Sequence, residues 1–254
     1  MEKLVYQMFI LGTGEFLDSA LSKGLGGVIF FTRDIKTKEQ FKNLIKDIKN
    51  KSLIPPFLSI DQEGGRVERT ENIHPRYLSP REAYFKGIEY LKNQTEKISY
   101  ELNDYGINLN FAPCADVNTN PNNPIIGDRA FSDKTDDVIK GVKIVSEEYR
   151  KNGIIPCVKH FPGHGDADKD SHLELPKIDL SLSEIAESRD ISRAAVEDAI
   201  KKSCQKLDEC EEKLHIAEKS DKLLKLSSKL KEKCLNTSEI EEIEAIEKEL
   251  NNGI

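Results

Sequence analysis

"GGVIFFTRDIKTKEQFKNLIKDIKNKSLIPPFLSID", residues 26–61, changes its hydrophobic period twice. It opens with "GGVIFF" (26–31), a β-branched and aromatic run that suits a buried strand. "TKEQFKNLIKDIKN" (37–50) then spaces Phe41, Leu44, Ile45 and Ile48 along one face of a helix. "PPFLSID" (55–61) returns to a strand and ends on a carboxylate, Asp61. Strand, helix and strand, with near-continuous apolar strands, is the pattern of a parallel sheet buried on both faces.

The alternation continues on both sides of this stretch. Upstream, "YQMFILG" (6–12) reads as a first strand. Downstream, "SPREAYFKG" (79–87) offers Ser79 as an N-cap and Pro80 at the first helical position. The helix "NQTEKISYELNDYG" (93–106) closes at Gly106, a natural residue to end a helix. "INLNFAPCADV" (107–117) is a strand, "TDDVIKGVKIVSEEYRKNG" (135–153) a helix, and "IIPCVKHF" (154–161) the next strand. The expected fold is α/β with about five parallel strands. Asp61, Asp116, Lys159 and His160 collect at strand C-terminal ends, the edge on which parallel α/β folds build their sites.

Composition divides the chain of 254 residues. All ten Pro and all seventeen Phe and Tyr lie before residue 177, whereas residues 186–254 carry 30 charged side chains, no Pro and no aromatic. The expected domains are therefore an α/β part, 1–185, and an all-α charged helical tail, 186–254. In the tail Val196, Ile200, Leu207 and Leu214, then Leu223, Leu226 and Leu230, fall at helical intervals. "TSEIEEIEAIEKEL" (237–250) starts a further helix, with Ser238 and Glu241 as a capping box. The heptad breaks near Asp221, so helices packing together, onto the first part, or onto a second copy are expected rather than one long coiled coil.

Several function classes fall away. Net charge is −7 with Lys and Arg scattered, so no basic footprint argues for nucleic acid. Five Cys, an odd number with no C-x-x-C spacing, read as reduced thiols. No apolar run approaches the roughly 18 residues of a membrane span, and the N-terminus reads as a strand rather than a signal peptide. A soluble cytoplasmic protein is expected.

Four segments carry the chemistry: "SIDQEGGRVERT" (59–70), "NLNFAPCADVNTNPNNPIIGDRAF" (108–131), "CVKHFPGHGD" (157–166) and "DSHLELP" (170–176). Gly64 and Gly65 turn the chain tightly beside Asp61 and Arg69. An Asp there can accept two sugar hydroxyls and an Arg offers a planar fork of donors, or the two can simply stitch the loop. Arg129 lies in an Asn- and Pro-rich loop, where anchoring a turn is the alternative to binding. Lys159 and His160 end a buried strand, and burying both without partners is costly. In "DSH" residues i and i+2 of an extended loop point the same way, so Asp170 and His172 can sit side by side. A carboxylate fixes the tautomer of a neighbouring imidazole and stabilises its charged form, and an imidazole titrates near neutrality. A solvated pair is the plainer alternative. His160, His164, Asp166, Asp168, Asp170 and His172 also include metal-ligand types. However, His160 to His164 runs through Pro162 and Gly163, so no helix presents that pair on one face, and no metal or other cofactor is expected.

Taken in order, the four segments resemble the catalytic (β/α)8-barrel domain of glycoside hydrolase family 3 over residues 1–185. The "KHFPGHGD…DSH" form is similar to its β-N-acetylhexosaminidase branch. The resemblance implies a partial TIM-type barrel and hydrolysis of terminal β-linked N-acetylglucosamine in cell-wall fragments. It implies sugar contacts for Asp61, Arg69, Arg129, Lys159 and His160, and an Asp170–His172 dyad as general acid/base. A retaining glycosidase also needs a nucleophilic carboxylate. The family carries it on a later strand, followed by a Met-containing segment. Nothing of that kind occurs beyond residue 180, and Met1 and Met8 are the only Met. The alternative is a non-catalytic sugar-binding or interaction protein whose helical tail serves assembly, including self-association.

Overall fold

The computed structural model describes residues 6–161, 163–170 and 180–215, together with Lys222, Lys225 and Lys229. The chain separates into two compact units, residues 1–169 and 170–254. The compositional boundary near 185 falls inside the second.

The first unit is built on a five-stranded, wholly parallel sheet whose strands follow one another in chain order. They are β1 (Ile10–Leu11), β2 (Gly27–Phe30), β3 (Phe57–Ile60), β4 (Leu109–Asn110) and β5 (Ile155–Pro156). Helices α1 (Leu17–Ser22), α2 (Lys38–Lys51), α3 (Pro80–Lys86), α4 (Ile88–Tyr105) and α5 (Thr135–Lys151) fill the connections. This is the α/β arrangement the alternating pattern predicts. The register sets Val28 opposite Leu58, Phe30 opposite Ile60 and Ser59 opposite Leu109.

Local chemistry fixes the helix ends. Thr37 caps α2 by accepting from Gln40 N at 3.1 Å. Ser79 caps α3 in a reciprocal box with Glu82, and Pro80 holds the first helical position. Gly87, with φ +125°, separates α3 from α4, and Gly106 ends α4 in the left-handed region at φ +85°. The buried face of α2 is Phe41, Ile45 and Ile48. Phe41 meets Phe30 edge-on and Tyr105 at a tilt, both at 5.2 Å between ring centroids. Truncating such a ring to Ala costs about 3–5 kcal/mol.

Three strands, β1, β4 and β5, are shorter than their apolar runs suggest. "YQMFILG" pairs only at Ile10–Leu11, because the chain turns over 6–9. Tyr6 O accepts from Phe9 N and from Gly26 N, and a Cβ on Gly26 would lie 2.1 Å from Gln7 O. The ladder between β4 and β5 is carried by Ile155 N donating to Asn108 O and Cys157 N donating to Asn110 O, with Pro156 between the two donors, where no bond to β4 is required. Pairing resumes once beyond them, as a Cys114–Lys159 bridge, and this carries the sheet's geometry out to the charged strand tips.

In the second unit α6 (Leu182–Ser188) is capped by a Ser181–Glu184 box and α7 (Arg193–Leu214) by Ser192. Ala186 and Val196 are buried, whereas Ile200 and Leu207 of the predicted apolar stripe are exposed. Leu223, Leu226, Leu230 and the expected helix at 237–250 lie outside the described residues. Among the described residues no helix is long and apolar enough to cross a membrane.

Candidate active site

The tips of β3, β4 and β5 converge. Asp61 and Glu63 follow β3, Cys114 and Asp116 lie beyond β4, and Lys159 and His160 lie beyond β5. The loop after β3 doubles back at Gly64 (φ +97°), where a Cβ would sit 2.3 Å from Leu78 O. Buried Gln62 stitches this loop. Its side-chain oxygen accepts from Arg69 N at 2.8 Å, and its backbone brackets the Asn110 side chain.

The loop after β4 is shaped by its asparagines. Asn123 Oδ1 accepts from Ile125 N and Ile126 N, and Asn118 Oδ1 accepts from Gly127 N at 3.1 Å. Arg66 Nη1 donates to Pro124 O at 2.8 Å. Together these hold the 3-10 turn Gly127–Arg129 and aim Arg129 inward.

A continuous chain of charge results. Lys159 Nζ lies 2.5 Å from Asp61 Oδ1 and 2.5 Å from Glu63 Oε1. Arg129 grips Glu63 with two bonds, Nε to Oε2 at 3.0 Å and Nη2 to Oε1 at 2.9 Å. Arg129 Nη2 also stands 3.1 Å from His160 Nε2, and His160 Nδ1 lies 2.6 Å from Asp116 Oδ2. Arg129 can only donate, so His160 accepts at Nε2 and carries its hydrogen on Nδ1, facing Asp116. Asp116 further accepts from His164 N at 2.6 Å and from the Cys114 thiol at 3.1 Å.

Burial and pairing compete at each carboxylate. Burial alone would raise the Glu63 carboxyl, but the Arg129 bond and the charges of Lys159 and Arg129 outweigh it and hold the group below its ordinary value. Asp116 is also pushed up by burial, and its bonds from His160, His164 N and Cys114 bring it down to about 2. Burial and the Asp116 charge push the Cys114 thiol up, so it sits protonated as a donor. Asp116 and His160 open with Lys159, Val158 and Gly163 onto a cleft of about 300 Å³.

The structure thus joins four of the residues expected at the site: Asp61, Arg129, Lys159 and His160. Arg69 does not stitch to Asp61. Its guanidinium stands over the Phe31 ring at 6.0 Å, with Nε buried and making no hydrogen bond. Asp170 begins the second unit and is half-buried, and His172 lies outside the described residues. Glu63 was given no role by the sequence reading. The signal was available, since residues i and i+2 beyond a strand share a face and Asp61 already pointed at the site.

Cys114, Asp116 and His160 present three ligand atoms within 4.8 Å of one another. The set suits a metal poorly. A metal on His160 Nδ1 would move the ring hydrogen to Nε2, setting it against the Arg129 donor 3.1 Å away.

Consecutive parallel strands with helical crossovers and a charged cluster at their C-terminal tips define an α/β protein of barrel type. Residues 13–206 match the model of the glycosyl hydrolase family 3 N-terminal domain, and the chain belongs to that family. It is 38% identical over 175 residues to a β-hexosaminidase A of Pseudoalteromonas piscicida, covering 63% of this chain and 29% of that protein. A family 3 β-N-acetylglucosaminidase from Paenibacillus sp. superposes with a TM-score of 0.66 at 31% identity, over 70% of this chain and 36% of that one. NagZ from Neisseria gonorrhoeae in complex with N-trifluoroacetyl-D-glucosamine gives 0.62 at 28% identity, over 74% of this chain and 59% of that one. The chain spans half or less of the length of these curated relatives. Residues 173–246 also match a model described as a putative helix-turn-helix protein, YlxM / p13 like.

Proposed function

We propose that this chain binds a terminal β-linked N-acetylglucosamine at the strand tips and carries the acid/base half of a β-N-acetylhexosaminidase. The observation that supports it most is the chain from Asp61 through Lys159, Glu63, Arg129 and His160 to Asp116, set on the C-terminal edge of a family 3 sheet. Such an edge holds polar groups rigidly at a cleft, and sugar hydroxyls are read by paired acceptors and donors of this kind. Asp61, Lys159, Arg69, Arg129 and His160 are assigned to the sugar. In this reading His172 protonates the glycosidic oxygen while Asp170 orients its ring and stabilises the imidazolium. The substrate is a muropeptide-like fragment of the cell wall, and the location is cytoplasmic.

The test is release of p-nitrophenol from its β-N-acetylglucosaminide. Turnover that His172→Ala abolishes is the expected result, and turnover unaffected by that change rejects the dyad. A second reading rests on residues 186–254, which are charged and carry no apolar strand-like run: a sugar-binding protein without turnover, assembling through that segment. Calorimetric binding of N-acetylglucosamine with no release of p-nitrophenol would select it. Light scattering that gives a monomer at every concentration would remove the assembly.

A further inference from the structure

We propose that Glu63 is a positioning residue that keeps Asp61 open to a sugar hydroxyl by drawing Lys159 and Arg129 onto its own carboxylate; the proposal rests on the sugar-binding reading above. Glu63 itself has nothing left to offer a substrate. Its side chain is 1% exposed. Its Oε2 accepts from Arg129 Nε, and its Oε1 accepts from both Arg129 Nη2 and Lys159 Nζ.

Asp61 is different. Its side chain is 23% exposed and pairs with Lys159 through Oδ1. Among the described residues nothing donates to Oδ2, which leaves that oxygen available to accept from a hydroxyl. Lys159 stands at equal distance from the two carboxylates, 2.5 Å from each. Glu63 therefore holds half of a cation that would otherwise belong wholly to Asp61.

Arg129 completes the arrangement. Of its five N–H donors, one at Nε and one at Nη2 go to Glu63, the second at Nη2 goes to His160, and one at Nη1 goes to Ile125 O at 3.2 Å. Only one N–H is left for a sugar. Arg129 is thus mainly the link through which Glu63 also sets the direction of His160 Nε2. Three carboxylates (Asp61, Glu63, Asp116) face two cations here. Neutralising Glu63 as Gln leaves Lys159 with Asp61 as its sole charged partner and keeps one acceptor oxygen for the two Arg129 donors that Glu63 held, the other facing an amide NH2.

Calorimetry with N-acetylglucosamine and the full chain tests this. Glu63→Gln keeps the side-chain shape and is expected to weaken binding at least tenfold with the far-UV circular dichroism unchanged. In an Asp61→Asn background the same change is expected to add little, because the oxygen that Glu63 protects is already gone. A purely structural role gives additive losses. Binding by Glu63→Gln equal to that of the unmodified chain, or additive losses, overturns the proposal. The Arg129 Nε–H resonance gives a readout without any sugar: protected from exchange in the unmodified chain and lost in Glu63→Ala, which leaves no acceptor there. If the unmodified chain binds no N-acetylglucosamine, the sugar reading fails, and an Arg129 resonance still protected in Glu63→Ala separately overturns the positioning. Should Glu63→Gln not fold, Glu63→Asp is measured in its place. An intermediate loss that vanishes with Asp61→Asn supports the role, and an unchanged affinity overturns it.

Discussion

The strand tips and helix α7 use the same four charged side-chain types for opposite ends. On α7, Arg193 pairs with Glu197 at 3.1 Å and Lys202 with Asp198 at 2.7 Å, all four side chains more than half exposed. At the tips, Arg129, Lys159, Glu63 and Asp61 pair at similar distances while largely withdrawn from water. Coulomb attraction between exposed groups is screened, and such pairs contribute about 0–1 kcal/mol. A buried pair has already lost its hydration, so removing one partner strands the other at a cost of about 3–5 kcal/mol. Charge density therefore locates nothing by itself. The tail is the more highly charged region, and the site lies where charges are few and dry.

The largest test of that contrast is Arg129→Met. It fills similar volume and leaves Glu63 with Lys159 as its only cation. A loss of about 3–5 kcal/mol in urea unfolding is expected. A loss below about 1 kcal/mol would place the network with the surface pairs and break the comparison.

Acid sharpens it next. Asp116 titrates at about 2 in the folded chain, against about 3.9 for an unfolded aspartate. As pH falls, the unfolded chain takes up this proton first. The stabilisation is complete above about pH 4–5 and is lost as pH falls through about 2, amounting to roughly 2–3 kcal/mol. Glu63, also held low, adds a slope of the same sign. Thermal melts between pH 6 and 2 should show this steep loss, and Asp116→Asn should flatten part of it. An unchanged slope in Asp116→Asn would refute the assignment.

The same contrast explains what could be read from the sequence. Period and punctuation marked the parallel sheet, α2, the start of α3 and the C-terminal ends of α4 and α5, because Ser79, Pro80, Gly106 and Gly153 act within a few residues of themselves, whereas α4 begins at Ile88, ahead of the 93 expected. Ladder lengths were not readable. β1 shrank to Ile10–Leu11 through a turn over 6–9 that the Gly26 amide ties at Tyr6 O, and β4 pairs with β5 only at Leu109–Asn110 before the Cys114–Lys159 bridge. Both depend on partners distant in sequence. Asp61, Lys159 and His160 were readable as strand-tip residues. The i, i+2 spacing from Asp61 put Glu63 on the site's face, but its partner was not readable, because Arg129 lies 66 positions away. The stacking of Arg69 over Phe31, in place of a stitch to Asp61, is a choice that only tertiary packing makes.

A smaller effect is expected where a local signal acts alone. Ser79→Ala removes the α3 cap, in which Ser79 Oγ accepts from Glu82 N at 3.3 Å and Ser79 N donates to Glu82 Oε2 at 3.0 Å. About 1 kcal/mol should be lost, measured as a shift of the urea midpoint at constant slope. Gly65 packs against Ser79, and a Cβ there would stand 2.7 Å from that side chain. A loss well beyond this figure would mean that the cap also supports the turn leading to Glu63.

The smallest effect is expected on α7. Lys202→Ala and Asp198→Ala each remove half of an i,i+4 pair whose side chains are 72% and 59% exposed. Asp N-terminal to Lys is the favourable order on a helix, yet such pairs contribute only about 0.3–0.5 kcal/mol. Ala is the better helix former at both positions, which offsets part of that loss. The double-mutant cycle should therefore give a coupling near or below about 0.5 kcal/mol that disappears in 1 M salt. The Arg129–Glu63 coupling measured in the same way should survive the salt, because water and ions do not reach the pair. Equal salt sensitivity in the two cycles would show that the strand-tip charges are hydrated after all, and the distinction between a dry network and a solvated helix face would fall.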